Sequence, residues 1–118
     1  MLDLILCVDD DPITLMLCKM VIAKSSFASE IITAQNGEEA LNYFDDLKLN
    51  NLGTEIKKYP SLVFLDLNMP VMDGWEFLDH FSKEEYTSAF KNTKVIVLPS
   101  TIDPNDIEKS KTYPMVLD

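Results

Sequence analysis

Residues 61–74 read Ser61-Leu62-Val63-Phe64-Leu65-Asp66-Leu67-Asn68-Met69-Pro70-Val71-Met72-Asp73-Gly74. The apolar run Leu62–Leu65 ends in a single acid, Asp66, and a turn follows at once. Pro70 fixes φ and lacks a backbone donor, and Asp73-Gly74 is a turn signal. Near the N-terminus the same arrangement occurs, with Leu4-Ile5-Leu6-Cys7-Val8 running into Asp9-Asp10-Asp11-Pro12. A short, continuously apolar run suits a strand buried on both faces of a parallel sheet. Two such runs, each ending in carboxylates, imply one acidic pocket assembled from distant parts of the chain. Such a pocket holds a cation, shares protons, or does both.

Helical patterns separate the strands. Pro12 suits a first helical turn, and Ile13, Met16, Leu17, Met20 and Val21 then recur at helical spacing, with Lys19 and Lys24 towards the C-terminal end. Glu30–Ala34 is a second strand, rich in β-branched residues. Asn36 is the expected N-cap of a second helix with Glu38 and Glu39 in its first turn and Ala40, Leu41, Phe44 and Leu47 as its buried stripe. Residues 48–60 read as a helix extension and then a loop. A third helix runs from Gly74 to about Phe81, a helical turn is expected around Tyr86–Phe90, and Val95–Leu98 is the fourth strand. Asp103 as N-cap and Pro104 at the first position begin a last helix that fades near Lys111.

Alternating short apolar strands and helices predict an α/β fold, a doubly wound, mostly parallel sheet with helices on both faces. In the flavodoxin-like strand order 2-1-3-4(-5), the first and third strands are neighbours, and ligands bind at the carboxyl ends where the order switches. That topology places Asp9, Asp10 and Asp66 together.

The totals set bounds. A chain of 118 residues, 47% hydrophobic, suits one domain with one core. Twenty acidic against 10 basic residues give a net charge of −10, which opposes direct nucleic-acid binding. No apolar run approaches the ~18 residues of a membrane span, and no export signal is evident. Cys7 in a strand and Cys18 in a helical pattern read as reduced core residues, so a cytoplasmic setting is expected.

Three clustered carboxylates repel unless a cation sits among them. Hard oxygen donors select Mg²⁺, with Mn²⁺ as the alternative, over Zn²⁺. A carboxylate beside that ion can attack phosphorus and form an aspartyl phosphate. Asp66, alone at its strand end, is the better nucleophile; the adjacent Asp9 and Asp10 suit metal holding, and Asp11 suits helix capping. Taken alone, Asp66 fits a helix cap as well as a nucleophile; the matching pair Asp9-Asp10 turns the balance to function. The Asn68 backbone carbonyl offers a neutral oxygen ligand. Ser100 and Thr101 follow the fourth strand at the same edge, where a hydroxyl serves either a phosphoryl oxygen or a plain turn. The sole histidine, His80, falls on a helix away from the strand ends, and three glycines make no phosphate-cradling loop.

Ile5–Pro12, Asn36–Leu41 and above all Leu65–Leu78 resemble the response regulator receiver domain of two-component signalling, in order and spacing across nearly the whole chain. The resemblance implies that Asp66 is the phosphoacceptor, that Asp9, Asp10, Asp66 and the Asn68 carbonyl hold Mg²⁺, and that Met69 and Pro70 shape the loop. It implies a sensor histidine kinase or a histidine phosphotransfer protein as phosphodonor, and autodephosphorylation as the reset. The family's Thr or Ser after the fourth strand falls at Pro99 or Ser100. Its fifth strand, Lys-Pro pair and last helix have no counterpart before the chain stops at Asp118, so residues 1–118 are expected to be a receiver domain truncated at its C-terminus. The fourth strand is then expected to be an unpaired edge open to association with another chain.

The chain thus reads as a phosphoacceptor signalling module, not an enzyme beyond its own phosphotransfer, with output through contact with a downstream protein. A phosphorylation-independent interaction module with a vestigial acidic pocket is the alternative. An aspartyl-phosphate phosphohydrolase is disfavoured, because Asn68 stands where such enzymes place a second acid.

Overall fold

The computed structural model describes residues 2–25, 28–53, 58–98 and 104–117. Strands β1 (Leu2–Val8), β2 (Ala28–Ala34), β3 (Leu62–Leu65) and β4 (Lys94–Val97) form one parallel sheet in the order β2-β1-β3-β4. Helices α1 (Pro12–Ser25), α2 (Gly37–Leu49), α3 (Gly74–Phe81), α4 (Glu84–Thr87) and α5 (Pro104–Ser110) connect them. This is the flavodoxin-like doubly wound order that the run of strands and helices predicts.

Strand periodicity explains the two-sided core. Side chains alternate across a strand, so Leu6 and Val8 of β1 enter one hydrophobic cluster while Ile5 and Cys7 enter the other. In β3, Val63 and Leu65 join the first, and Leu62 with the half-buried Phe64 joins the second. The first cluster is filled by Phe44 of α2, Phe77, Leu78 and Phe81 of α3, Tyr86 of α4 and Phe90. Phe44 sits at its centre, with ring centroids 4.7 Å from Phe81 and 4.8 Å from Phe90.

The helix starts follow capping chemistry. The Asn36 side chain accepts from the Glu39 N–H at 2.9 Å, and Asp73 and Glu76 form a reciprocal capping box at α3. The carboxylate of Asp11 accepts from the Ile13 N–H and the Thr14 hydroxyl, so Asp11 does cap α1.

Several details differ from expectation: β1 begins at Leu2, two residues before its apolar run, and β4 spans Lys94–Val97, one residue earlier at each end. β2 begins at Ala28, two residues earlier than its β-branched run, because Leu4 and Leu2 of β1 pair with Glu30 and Ala28. α4 begins at Glu84, ahead of the expected turn at Tyr86. α1 buries Leu15 and Ile22 and leaves exposed the five residues whose spacing marked it as a helix. The outer edge of β4 is not wholly unpaired: the Val95 N–H donates to the Met115 carbonyl at 2.9 Å and the Leu117 N–H donates to Val95 at 2.8 Å, a parallel bridge between Val95 and Val116. A first rung of further pairing therefore stands where an open edge was expected. Pro99, Ser100, Thr101 and Asp103, named from the sequence as a hydroxyl site and a helix cap, lie outside the described residues.

Phe44→Ala removes the ring on which four other aromatic side chains, Tyr43, Phe77, Phe81 and Phe90, pack. It is expected to lower the unfolding free energy by about 3–5 kcal/mol, read as a lower urea midpoint with an unchanged slope.

Candidate functional site

The register of two strands builds the site. Val8 of β1 pairs with Leu65 of β3, so the next residues, Asp9 and Asp66, leave the sheet side by side. The Asp66 N–H donates to the Val8 carbonyl at 2.9 Å, and the Asp9 N–H donates to Ala34 at 3.1 Å. Carboxylate oxygens of Asp9, Asp10 and Asp66 all lie within 4.8 Å of one another. Asp9 and Asp66 are each only 7% exposed, while Asp10 faces solvent. The sequence placed these three acids together, and the fold does so.

Short local bonds orient the buried pair. An Asp9 oxygen accepts from the Asp11 N–H at 2.9 Å, and an Asp66 oxygen accepts from the Asn68 N–H at 3.1 Å. Burial pushes the Asp9 carboxyl above the ordinary carboxylate range, the Asp11 N–H draws it down, and Asp10 and Asp11 push it up again. Asp66 is raised in the same way: burial first, opposed by the Asn68 N–H, then repulsion from Asp9 and Asp10. Two buried carboxylates and one exposed one, with oxygen as the only donor atom, form a hard, electron-rich set that suits a divalent cation of the Mg²⁺ kind. The pocket's strain is electrostatic, and a cation relieves it.

The turn after Asp66 is clamped from two sides by glycines. The Gly74 N–H donates to the Leu67 carbonyl at 3.0 Å, and the Gly37 N–H donates to the Met72 carbonyl at 2.9 Å. A Cβ on Gly74 would lie 2.6 Å from the Asp66 carbonyl oxygen and 2.7 Å from Leu67 Cα, both backbone atoms that cannot yield cheaply. A Cβ on Gly37 would meet Met72 at 2.9 Å. Between the clamps, Val71 adopts φ 68, a left-handed conformation that is costly for a β-branched residue, and the Met72 N–H closes a tight turn onto Pro70 at 2.7 Å. Met69 is buried in the core and anchors the same loop.

Sequence reasoning treated Gly37 only as part of a helix start and missed its role as a buttress. Its signal was present, since glycine is a poor choice in the first turn of a helix unless a neighbour's backbone comes close. Asn68 lies in the turn as expected. His80 lies on α3, 3.4 Å from the Lys83 ammonium and away from the acids. Cys7 is buried and Cys18 half-buried, both as free thiols, and burial pushes the Cys7 thiol up to about 12.

A parallel doubly wound sheet with acids at its switch point defines a class of α/β domains that bind charged ligands at their strand ends. Within that class the family is specific. The family model for the response regulator receiver domain matches residues 5–116, and the chain belongs to that family. A two-component response regulator from Cytophaga hutchinsonii is 29% identical, with a TM-score of 0.84 over 98% of this chain and 82% of that one. A phosphorylated cyanobacterial phytochrome response regulator is 28% identical, with a TM-score of 0.74 over 98% of this chain and 77% of that one. A probable methanogenesis regulatory protein of Methanothrix harundinacea is 29% identical over 91% of this chain and 64% of its own length. A probable transcriptional regulator of Porphyra purpurea is 46% identical over 55 residues, 47% of this chain and 18% of its own length. The chain therefore spans less than two thirds of these curated relatives. Receiver domains are signalling modules, generally not enzymes; they interact with histidine kinases or phosphotransfer proteins and generally bind Mg²⁺ at an acidic pocket. Among the described residues, no helix is long and apolar enough to cross a membrane.

Raised carboxyl groups make the folded chain hold protons more tightly than the unfolded one. Their contribution to stability is present below the ordinary carboxylate range and is lost as pH rises through their raised values. In metal-free buffer, Asp66→Asn is therefore expected to melt higher than the parent at pH 7, and the difference should shrink towards pH 4. Thermal melts at the two pH values read this directly. Gly74→Ala is expected to cost about 1–3 kcal/mol through overpacking and, because the clash falls on Asp66, also to weaken any Mg²⁺-induced rise in melting temperature.

Proposed function

We propose that this chain is a phosphoacceptor receiver domain, phosphorylated on Asp66 in a Mg²⁺-dependent reaction. The convergence of Asp9, Asp10 and Asp66 within 4.8 Å at the ends of β1 and β3 carries the proposal. Kinship with a phosphorylated phytochrome response regulator supports it.

Asp9, Asp10, Asp66 and the Asn68 backbone carbonyl are the residues that would hold Mg²⁺, with Mn²⁺ as an alternative ion. Bound there, the ion would offset the charge of the acids and of the arriving phosphoryl group. Asp66 supplies the nucleophilic oxygen. An O–P bond forms at Asp66 as the P–N bond to the donor's phosphohistidine breaks, and the histidine leaves with the electron pair. The bond between the Asn68 N–H and Asp66 keeps the attacking carboxylate aimed. Ser100 is the hydroxyl the sequence offers for a phosphoryl oxygen. Hydrolysis of the acyl phosphate resets the domain.

The donor is a sensor histidine kinase or a histidine phosphotransfer protein. Phosphorylation adds charge in the pocket, about −2 on the modified side chain, and the changed surface acts through contact with a downstream protein. A net charge of −10 opposes direct reading of nucleic acid. Two free thiols, one buried and one half-buried, and a kinase donor fit a cytoplasmic setting.

The test is intact mass after incubation with acetyl phosphate and Mg²⁺, with Asp66→Asn in parallel. One added phosphoryl group in the parent, abolished by EDTA and absent from the variant, is the expected result. Mg²⁺ should raise the parent's melting temperature and leave that of Asp10→Asn nearly unchanged. Clear Mg²⁺ binding without any mass gain would overturn the phosphoacceptor reading in favour of a phosphorylation-independent contact module.

A further inference from the structure

Asp9 and Asp66 follow the carboxyl ends of β1 and β3; a cavity of about 130 Å³ opens at the other end of the sheet, where Thr93 and Lys94 lead into β4. Its buried walls are Phe81, Phe90 and Met115, and its exposed rim is Thr87, Lys91 and Lys94. An apolar cavity of ~150 Å³ takes up a benzene ring, so this one suits a body of about that size. Its walls are fixed from separate directions. The Thr93 N–H donates to the Phe90 carbonyl at 3.0 Å, the Lys94 N–H to Ser61 at 3.0 Å and the Val95 N–H to Met115 at 2.9 Å. Phe81 and Phe90 are stacked, with centroids 6.1 Å apart and planes 16° from parallel. The cavity is therefore formed before anything enters it.

Its charge runs against the rest of the molecule. The chain has 20 acids and 10 bases, yet both charged residues that line this cavity are lysines. Lys48, Lys58 and Lys111 each reach a carboxylate, whereas Lys91 and Lys94 have no ion-pair partner among the described residues. A lysine stem can lie along apolar surface while its ammonium group stays at the mouth. Other donors in the walls are already committed. The Thr93 hydroxyl donates to the Pro60 carbonyl at 2.6 Å, and the Phe90 N–H donates to Tyr86 at 2.8 Å. An anion therefore meets mainly the two ammonium groups. That is a poor match for a compact phosphate, whose several oxygens each want a donor, and a good one for a single carboxylate on an apolar body.

We infer that this cavity is a binding site for a small aromatic monocarboxylate of the benzoate class. The ring lies against Phe81, Phe90 and Met115, where tilted or offset contact with the two phenyl rings is favourable. The carboxylate stays at the mouth, beside Lys91 and Lys94. None of these residues belongs to the acidic pocket, so each site can be filled without displacing the other's ligand.

The test is amide chemical-shift mapping of the isotope-labelled full chain, titrated with benzoate at constant ionic strength up to about 20 mM, a range that covers millimolar affinity. The expected result is a set of saturable shifts centred on Phe90, Lys91, Thr93, Lys94 and Met115, with Asp9 and Asp66 unmoved. Benzyl alcohol supplies the ring without the charge, and acetate the charge without the ring; each should bind at least about tenfold more weakly. Lys91→Gln combined with Lys94→Gln changes two exposed side chains, keeps the rest of the spectrum in place and should weaken benzoate about fivefold or more. Thr87→Trp keeps both lysines, crowds the mouth and should weaken it too. Shifts that stay linear throughout, or that saturate around other residues, overturn the inference. Acetate or benzyl alcohol binding as tightly as benzoate overturns it as well, as does a double glutamine variant that binds like the parent.

Discussion

Everything at the site depends on one constraint, the parallel register that sets Val8 beside Leu65. Both strands are buried on both faces, so neither can slip by one residue without turning its whole hydrophobic set to the wrong side. The core therefore fixes the register, and the register fixes the acids. Asp9 and Asp66 are brought together against their own repulsion by contacts that involve neither carboxylate. The energy that holds them comes from Ile5, Leu6, Cys7, Val8, Val63 and Leu65, each fully buried or nearly so. A pocket built this way is preorganised: its charges are already placed when a cation or a phosphoryl group arrives.

The loop beyond Asp66 adds a second layer to that preorganisation. It is pinned by Gly74 on one side, Gly37 on the other and Met69 below, and it contains a strained Val71 at its exposed tip. Strain of this type persists only where the surroundings over-determine the backbone. Here the over-determination has a physical source, since the N-termini of α2 and α3 both approach the loop closely enough that only hydrogen fits at Gly37 and Gly74. The acidic site is thus tied to both helices of the first core face, and a change of charge at Asp66 is felt by a packed backbone and not by a free loop.

Much of this was legible in the sequence because the strongest signals were local and periodic. Four apolar runs, the caps at Asp11 and Asn36 and the acids at matching strand ends specify the strand order, the helices and the cluster of Asp9, Asp10 and Asp66. What was not legible needed distance. The clamp by Gly37 joins residues far apart in the chain, and nothing in Asn36-Gly37-Glu38-Glu39 names Met72 as its neighbour. The bridge from Val95 to Val116 joins a strand edge to a segment whose own pattern, Tyr-Pro-Met-Val-Leu, is too short to read. α1 shows a different failure. Apolar residues recur around its whole circumference, so periodicity marks a helix but cannot say which side faces in; it is the packing against Ile5, Cys7 and Leu62 that receives Leu15 and Ile22.

That same turn links the two halves of the molecule's chemistry. Asp9 closes onto the Asp11 N–H, and Asp11 caps α1 through Ile13 and Thr14, so one short run of backbone both orients a pocket carboxylate and starts the exposed apolar helix. A cation or a phosphoryl group at Asp9 or Asp10 would therefore act next to the residues that set the first turn of α1. Conversely, a partner packed on α1 would bear on the turn that presents Asp9 and Asp10. Linkage of this kind is reciprocal by necessity: if occupancy of the pocket changes how readily α1 is covered, then covering α1 changes the affinity of the pocket by the same factor. The hydrogen bonds that would carry such a linkage span residues 9 to 14.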